Sequence, residues 1–231
     1  MTDTALYPRF AQPGVVEALA DSPAVLIHGP RQCGKTTLAR MVAATHGYAY
    51  ITLDDGTVRQ SAEHDPMGFV ADLPERAIID EVQRALHIFC AMKLAIDRER
   101  TPGRYLLTGS TNILLVPKLA DSLAGRMEIV RLHPLAQCEL AGAPSDFLDR
   151  LWNADFTVGS SKRLGLELVQ RVVNGGYPSA LARSSAARRA SWYRDYLDAV
   201  VQRDVRELAK IASLDASPSA RACCLANRPT P

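Results

Sequence analysis

A glycine-rich segment near the N-terminus has the residue types that hold a phosphate group. Residues 29–36, called the P-loop below, match the pattern G-x-x-x-x-G-K-[ST] at every fixed position. Glycines let the backbone curl so that successive N–H groups point at phosphate oxygens. Lys35 is predicted to reach the β- and γ-phosphates of a nucleotide, and Thr36 to ligate Mg²⁺. The predicted nucleotide contacts are Gly29, Pro30, Arg31, Gln32, Cys33, Gly34, Lys35, Thr36 and Thr37.

An acidic pair further along the chain has the side chains that nucleotide hydrolysis requires. Asp80 and Glu81 directly follow the apolar run 76–79. A buried strand of a parallel sheet ends at the edge where ligands bind. We therefore predict that Asp80 holds the water shell of the metal and that Glu81 polarises an attacking water. An acidic turn is the alternative, and for the earlier pair at 54–55 a solvated turn fits at least as well.

Two further side chains are candidates for contact with the γ-phosphate. Ser110 follows the predicted strand 104–108, and we favour it over Asn112 as a sensor because the strand is expected to stop just before it. Arg126 precedes the last predicted strand, 127–132, where an arginine can neutralise charge on a transferring phosphoryl group. An ordinary polar turn at Ser110 and a surface salt bridge at Arg126 are the alternatives.

These residues require strands and helices that bring them together. Short apolar runs predict strands at 24–28, 48–53, 76–79, 104–108 and 127–132. Helical spacing predicts helices from residue 37 onward, over 84–100 and over 116–123. The alternation predicts an α/β fold: a three-layer P-loop NTPase domain with a five-stranded parallel sheet and its site at the carboxyl ends of the strands.

The pattern changes after residue 134, which indicates a second region. Residues 141–145 resemble a connector, and helices are expected over 147–210, interrupted at 175–178. We therefore expect an NTPase domain at 1–140, a small helical domain at 141–212 and a disordered tail at 213–231.

Composition excludes several classes of protein. The 231 residues are 47% hydrophobic and 23% charged, which is unlike a disordered chain or a disulfide-stapled miniprotein. No apolar run is long enough to span a membrane, and the N-terminus lacks the pattern of a secretory signal. Five cysteines without a C-x-x-C pair suggest reduced thiols. The expected location is the cytoplasm, with no membrane partner.

Charge is unevenly distributed along the chain. The net charge is +2, yet residues 162–210 carry 10 basic and 5 acidic side chains. DNA is a possible partner of this segment, because basic surfaces bind phosphate backbones. A solvated helical face is the alternative, since acidic residues interrupt the basic ones.

With these motifs assembled, the chain resembles a prokaryotic AAA-family P-loop ATPase of the type that carries a C-terminal nuclease-like domain of unknown function. The resemblance implies Mg²⁺-dependent hydrolysis of ATP. It also implies a homo-oligomer in which Arg126 acts as an arginine finger on a neighbour's nucleotide. The motifs that carry it are 7–9, 29–38, 78–83, 106–110, 123–126, 135–139, 175–178 and 196–208.

The chain departs from that family at two places. Cys33 stands where a branched apolar residue is usual, which suggests a thiol that reacts beside the phosphates; a small inert filler is the alternative. The match ends near Leu214, so we expect a truncated member.

A second function is open besides hydrolysis. The alternative is a nucleotide-dependent DNA-binding or regulatory module with little or no turnover. A GTPase should contain an Asn-Lys-x-Asp motif, which is absent from the sequence. A small-molecule kinase would not need Glu81 beside Asp80 to activate water.

Overall fold

A five-stranded parallel sheet forms the centre of the structure, a computed structural model that describes residues 6–110, 125–143, 146–153 and 165–215, with side chains as far as 202. The strand order is β2-β3-β4-β1-β5, and each neighbouring pair is parallel. The predicted α/β fold is confirmed. The strands are β1 Ala24–Gly29, β2 Ala49–Thr52, β3 Ala77–Asp80, β4 Tyr105–Ser110 and β5 Met127–Arg131.

Helices cover both faces of the sheet, so the fold has three layers. Alternate residues of β1 point to opposite faces, and this places Val25 in one buried cluster and Leu26 in the other. The first cluster includes residues of α1 (Ala11–Asp21) and α2 (Lys35–His46). The second cluster includes residues of α3, α4 and α5, which span Gly56–His64, Pro66–Ala71 and Ile88–Arg98.

Helices α3 and α4 were not predicted, although each has a recognisable start signal. The Asp55 carboxylate accepts hydrogen bonds from the backbone N–H groups of Thr57 (2.8 Å) and Val58 (3.3 Å) and so caps α3. Asp65 caps α4, which begins with a proline. The acidic pair at 54–55 therefore has a structural role in the turn, since Asp54 also forms an ion pair with Arg84 (2.6 Å).

Two predicted boundaries are corrected. Strand β4 continues through Ser110, two residues beyond its predicted end. The helix predicted over 84–100 is a 3₁₀ turn at Val82–Arg84 followed by α5, because Glu81 adopts a left-handed backbone conformation that starts the turn.

Within the described residues, five further helices follow the sheet. The chain divides into two compact units, Met1–Ala182 and Arg183–Pro231, so contacts separate it at 182 and not at 140. The assignment of domains to 1–140 and 141–212 remains a prediction. The helices are α6 Gln137–Ala141, α7 Phe147–Trp152, α8 Leu166–Asn174, α9 Pro178–Leu181 and α10 Ala186–Asp215.

Several predictions fall at the limits of the described residues. Helix α10 extends to Asp215, so residues 213–215, which were expected to begin the disordered tail, are helical. Asn112, the helix at 116–123 and residues 216–231 lie outside the described residues. Among the helices that the structure describes, none is both long and apolar enough to cross a membrane.

Candidate functional site

Three neighbouring strands end at one edge of the sheet and bring most of the predicted site residues together. Gly29 at the end of β1 lies opposite Ser110 at the end of β4. Asp80 ends β3, which pairs with the other side of β4, and Glu81 follows it. The P-loop, the acidic pair and Ser110 therefore share one edge of the sheet, as the sequence predicted.

The P-loop joins β1 to α2 through a tight turn. Gln32 and Gly34 have positive φ angles of 60° and 101°. A Cβ at Gly34 would be strained and would lie 3.0 Å from Nη1 of Arg9, so this position favours glycine. Thr37 lies in the first turn of α2 and is exposed.

Lys35 is held against the P-loop. Its side chain is buried, and Nζ donates hydrogen bonds to the carbonyls of Gly29 (3.1 Å) and Pro30 (2.8 Å). The ammonium group thus lies at the loop at the start of α2, where backbone N–H groups and the helix dipole favour an anion. This arrangement concentrates positive charge where the predicted phosphates would lie.

Hydroxyl groups surround the buried carboxylate of Asp80. Thr36 Oγ1 lies 3.0 and 3.1 Å from its two oxygens, Tyr50 donates to Oδ2 (2.7 Å), and Thr108 donates to Oδ1. These donors compensate the burial of a charged group. Burial, together with the hydrogen bond to Asp80, raises the pKa of Tyr50. Sequence reasoning missed both Tyr50 and Thr108, because neither belongs to a motif with fixed spacing.

The donor set at Thr36 and Asp80 fits Mg²⁺. This cation prefers oxygen ligands and is commonly held by one or two carboxylates together with substrate phosphates. A threonine hydroxyl and a carboxylate stand side by side here. Within the described part of the chain, no group of three or more His, Cys, Asp or Glu side chains could form a separate metal cage. A magnesium ion shared with a bound phosphate is the chemistry that this pair suits.

Glu81 has a strained backbone. It is one of two non-glycine residues with positive φ among those described, at 59°. Such a conformation costs on the order of 1 kcal/mol or more and occurs often at functional sites. The backbone N–H of Glu81 donates to Thr108 Oγ1 (3.1 Å), and its carboxylate accepts a hydrogen bond from Gln83 Nε2. The acidic side chain is thereby fixed next to Asp80.

Ser110 has a buried hydroxyl at the same edge. The residue is 5% exposed, and within the described chain its Oγ has no hydrogen-bond partner. Its backbone N–H donates to Oε1 of Gln83 (3.3 Å). Because Ser110 lies opposite Gly29, this hydroxyl is available to an oxygen atom bound at the P-loop.

Arg126 is not brought to the P-loop. It precedes β5, whose first residue lies opposite Ala24 at the other end of β1, roughly 16 Å away by the rise of a strand. Its guanidinium forms hydrogen bonds of 2.5 and 3.0 Å with Asp97, and this contact lowers the pKa of that carboxyl. The structure therefore contains the salt bridge that was the alternative, and it places the backbone of Arg126 at the end of β1 that is opposite the P-loop.

The prediction of a reactive thiol at Cys33 is wrong. The side chain is fully buried in the cluster that contains Leu38 and Leu132, and Sγ lies 3.6 Å from the Leu132 carbonyl oxygen, to which it donates. Burial raises the pKa of the thiol. Cys33 therefore contributes its backbone to the P-loop, while its side chain fills the core.

Alkylation of the folded protein is expected to discriminate between its cysteines. The exposed Cys90 should react with iodoacetamide at neutral pH at least about tenfold faster than Cys33, whose thiol is buried and has a raised pKa. Peptide mass spectrometry of timed samples measures both rates, and denaturant should release Cys33. Equal rates in the folded protein would contradict this placement.

A buried ion pair supports the P-loop from behind. Arg9 donates to the carbonyls of Cys33 (2.9 Å) and His133 (2.6 Å) and to Glu139 Oε1 (3.2 Å). Glu139 also accepts hydrogen bonds from the backbone N–H groups of Phe10 and Ala136, both 2.8 Å. The side chains of Arg9 and Glu139 are only 7% and 5% exposed. The pair connects the N-terminal segment and the chain after β5 to the loop.

An apolar cavity of about 310 Å³ lies beside Gly34 and Thr37. This volume is at the lower end of the range for small-molecule sites, which are mostly apolar. The side chains that line it come from the N-terminal segment, from the chain after β5 and from α9. They include Leu6, Tyr7, Leu135, Pro178 and Leu181.

Gly176 explains how the segment 175–178 reaches this cavity. Its carbonyl accepts a hydrogen bond from the N–H of Leu135 (2.8 Å). A Cβ at Gly176 would lie 2.1 Å from the Leu135 carbonyl oxygen, so any larger residue would force the two backbones apart. Close backbone contact therefore places Pro178 on the cavity wall.

Comparison with known families identifies the domain that contains these residues. Residues 21–141, just over half of the chain, match the family model AAA_14, described as an AAA domain. The chain belongs to this family. The P-loop, Asp80, Glu81 and Ser110 all lie within the matched AAA domain. Residues 165–223 match a second model, a domain of unknown function (DUF8612).

Similar proteins are found in mycobacteria and in an archaeon. Two uncharacterised proteins, from Mycobacterium bovis and Mycobacterium tuberculosis, are 32% identical over 192 residues. The match covers 83% of this chain and 38% of each relative, so the AAA protein described here spans well under half of their length. The Walker-type ATPase PABY2304 of Pyrococcus abyssi is similar with a TM-score of 0.47 and 17% identity, covering 90% of this chain and 77% of that one.

Proposed function

We propose that this AAA domain binds ATP with Mg²⁺ and hydrolyses it. The observation that carries the proposal is the convergence of the P-loop with Asp80, Glu81 and Ser110 at the carboxyl ends of three adjacent strands. These groups match the needs of phosphoryl transfer, in which catalysis consists of positioning and electrostatic stabilisation.

Phosphate binding is assigned to the loop and the start of α2. Backbone N–H groups of the P-loop and the Lys35 ammonium donate hydrogen bonds to the phosphate oxygens. Lys35 gives up its hydrogen bonds to the carbonyls of Gly29 and Pro30 when it binds phosphate. Thr36 and Asp80 would hold Mg²⁺, which neutralises negative charge on the β- and γ-phosphates when bound.

Water activation is assigned to Glu81. Its carboxylate accepts a hydrogen bond from a water molecule aligned with the γ-phosphorus. The water oxygen forms a bond to phosphorus, the bond from phosphorus to the bridging oxygen breaks, and ADP and inorganic phosphate leave, with the water proton taken up by Glu81 or by the phosphate. The Ser110 hydroxyl, which has no hydrogen-bond partner among the described residues, donates to a γ-phosphate oxygen.

The apolar cavity is the proposed site for the adenine base. It adjoins Gly34 and Thr37, at the end of the P-loop where α2 begins. A base bound there would place the attached phosphates at the loop. Flat apolar walls at Tyr7, Leu135 and Pro178 suit the faces of a neutral aromatic ring.

Release of phosphate from ATP by the purified protein tests this function. We expect turnover that requires Mg²⁺ and is lost in Lys35→Ala. Because the hydrogen bonds that Lys35 makes within the described residues go to the P-loop, the variant should remain folded, which a thermal melt checks. Wild-type protein that binds Mg-ATP without turning it over would favour the second candidate, a nucleotide-dependent DNA-binding or regulatory module.

DNA binding through 162–210 is supported only in part by the described residues. Arg183, Arg188 and Arg194 are exposed near the start of α10, but Asp195 and Asp198 follow on the same helix. Titration with duplex DNA at two salt concentrations distinguishes a phosphate-binding surface, whose affinity falls steeply with salt, from a solvated face.

For Arg126 we propose a role in trans. A homo-oligomer that places it at a neighbour's nucleotide would require Arg126 to leave Asp97. The phosphate-release assay also tests this proposal, because turnover per chain should then fall as the protein is diluted and the oligomer dissociates. Constant turnover down to concentrations where the protein is monomeric would refute it.

A further inference from the structure

We propose that Gln83 is a positioning residue that links the Glu81 carboxylate to the tip of β4 and orients it toward the attacking water. The inference rests on the proposed function, in which Glu81 activates that water. It concerns a residue outside the P-loop and the acidic pair.

The side-chain amide of Gln83 is bound at both ends. Nε2 donates to Oε2 of Glu81, and Oε1 accepts from the backbone N–H of Ser110 (3.3 Å). A carboxylate only accepts and a backbone N–H only donates, so the two partners also fix which end of the amide faces which. A glutamate or a methionine at this position could not make both bonds.

Glu81 needs such an anchor because its other attachment lies in the backbone. Its N–H is held by Thr108 of β4, which fixes the main chain in the left-handed conformation. The side chain beyond Cα still has three rotatable bonds. In the part of the chain that the structure describes, Gln83 is the one group that donates a hydrogen bond to this carboxylate.

The bridge also connects the two residues proposed to respond to the γ-phosphate. Ser110 offers its N–H to Gln83, and it offers to the phosphate its hydroxyl, which is unpartnered in the part of the chain that the structure describes. A shift of the β4 tip on phosphate binding would therefore be transmitted through one amide to the carboxylate of Glu81. Gln83 acts through Glu81 and does not itself contact the reacting atoms.

The test compares turnover and nucleotide affinity in matched variants. Gln83→Met keeps the side-chain length and removes the amide, and Gln60→Met makes the same change at an exposed position on α3. We expect Gln83→Met to lower kcat by about 10- to 100-fold, the usual loss when a supporting residue of a site is removed. The Kd for Mg-ATP should change less than about threefold, and Gln60→Met should match wild type.

The Glu81→Gln background separates positioning from a general structural effect. If Gln83 acts through Glu81, Gln83→Met should cause no further loss of kcat when Glu81 is already Gln. A full additional loss there, an unchanged kcat in the single variant, or an equal loss of ATP affinity would overturn the proposal. Wild-type turnover in the same assay would leave the proposed function standing in each of these cases.

A second measurement does not depend on hydrolysis. In the nucleotide-free protein, Glu81→Gln should change the NMR chemical shift of the Gln83 side-chain amide. Gln83→Met should change the chemical shift of the Ser110 backbone amide. If the wild type has no turnover, the proposed function fails, and these shifts alone decide the bridge: their presence supports it, and their absence overturns it.

Discussion

Glu81→Gln is expected to bind Mg-ATP as wild type does and to hydrolyse it slower by about 10² or more, the scale of a lost general base. Lys35→Ala is expected to abolish binding. The two substitutions should have different effects because the proposed roles differ. Lys35 lies at the loop where phosphates are proposed to bind, whereas Glu81, the proposed water-activating group, follows Asp80 and is held by Thr108 and Gln83. The amide at position 81 keeps the shape of the side chain and loses its basicity.

Equilibrium dialysis with ATP and single-turnover phosphate release measure the two quantities separately. Glu81→Gln should slow phosphate release and leave ATP binding unchanged, and Lys35→Ala should abolish ATP binding. Wild-type hydrolysis by Glu81→Gln would mean that another group orients the water. Loss of ATP binding in that variant would instead place Glu81 among the binding residues.

Local patterns were enough to predict the sheet and the loop. Buried parallel strands appear as short apolar runs, and the P-loop lies between such a run and a helix, so β1, the loop and α2 could be found without tertiary information. Asp80 and Glu81 could be placed because they end a strand of the same parallel sheet.

The parallel sheet also determines the position of Arg126 relative to the P-loop. In a parallel sheet, a residue that precedes a strand lies at the edge opposite a residue that follows one. Arg126 precedes β5 and the P-loop follows β1, so separation was implied once the strands were taken as parallel neighbours. The sequence pattern alone did not reveal its partner Asp97, which lies on α5.

Other features depend on contacts between distant parts of the chain. The direction of the Cys33 side chain depends on Leu132, the residue that follows β5, because the thiol donates to its carbonyl oxygen. The cavity requires Leu135 and Gly176 to meet. No periodicity relates residues so far apart, although the segments 7–9, 135–139 and 175–178 are among the motifs that carry the family resemblance.

Arg9→Met is expected to lower the free energy of unfolding by about 3–5 kcal/mol, the usual cost of removing one partner from a buried ion pair. The cost arises because the carboxyl group of Glu139, at 5% exposure, would remain buried without the guanidinium. The carbonyls of Cys33 and His133 would also lose a donor. Urea unfolding curves measure the change, and Arg171→Met is the control, since it removes a partly exposed ion pair with Glu167 and one hydrogen bond to Gln137, contacts that should contribute little.

The combination with Glu139→Gln tests whether the two charges depend on each other. Each single variant leaves one buried charge unpaired, whereas the double variant leaves neither, so it should cost less than the sum of the singles. Arg9→Met should also weaken ATP binding in the absence of urea, because Nη1 holds the Cys33 carbonyl inside the P-loop. A double variant that is strictly additive, with ATP affinity unchanged in Arg9→Met, would reduce Arg9 to a side chain that fills space and would remove its link to the nucleotide site.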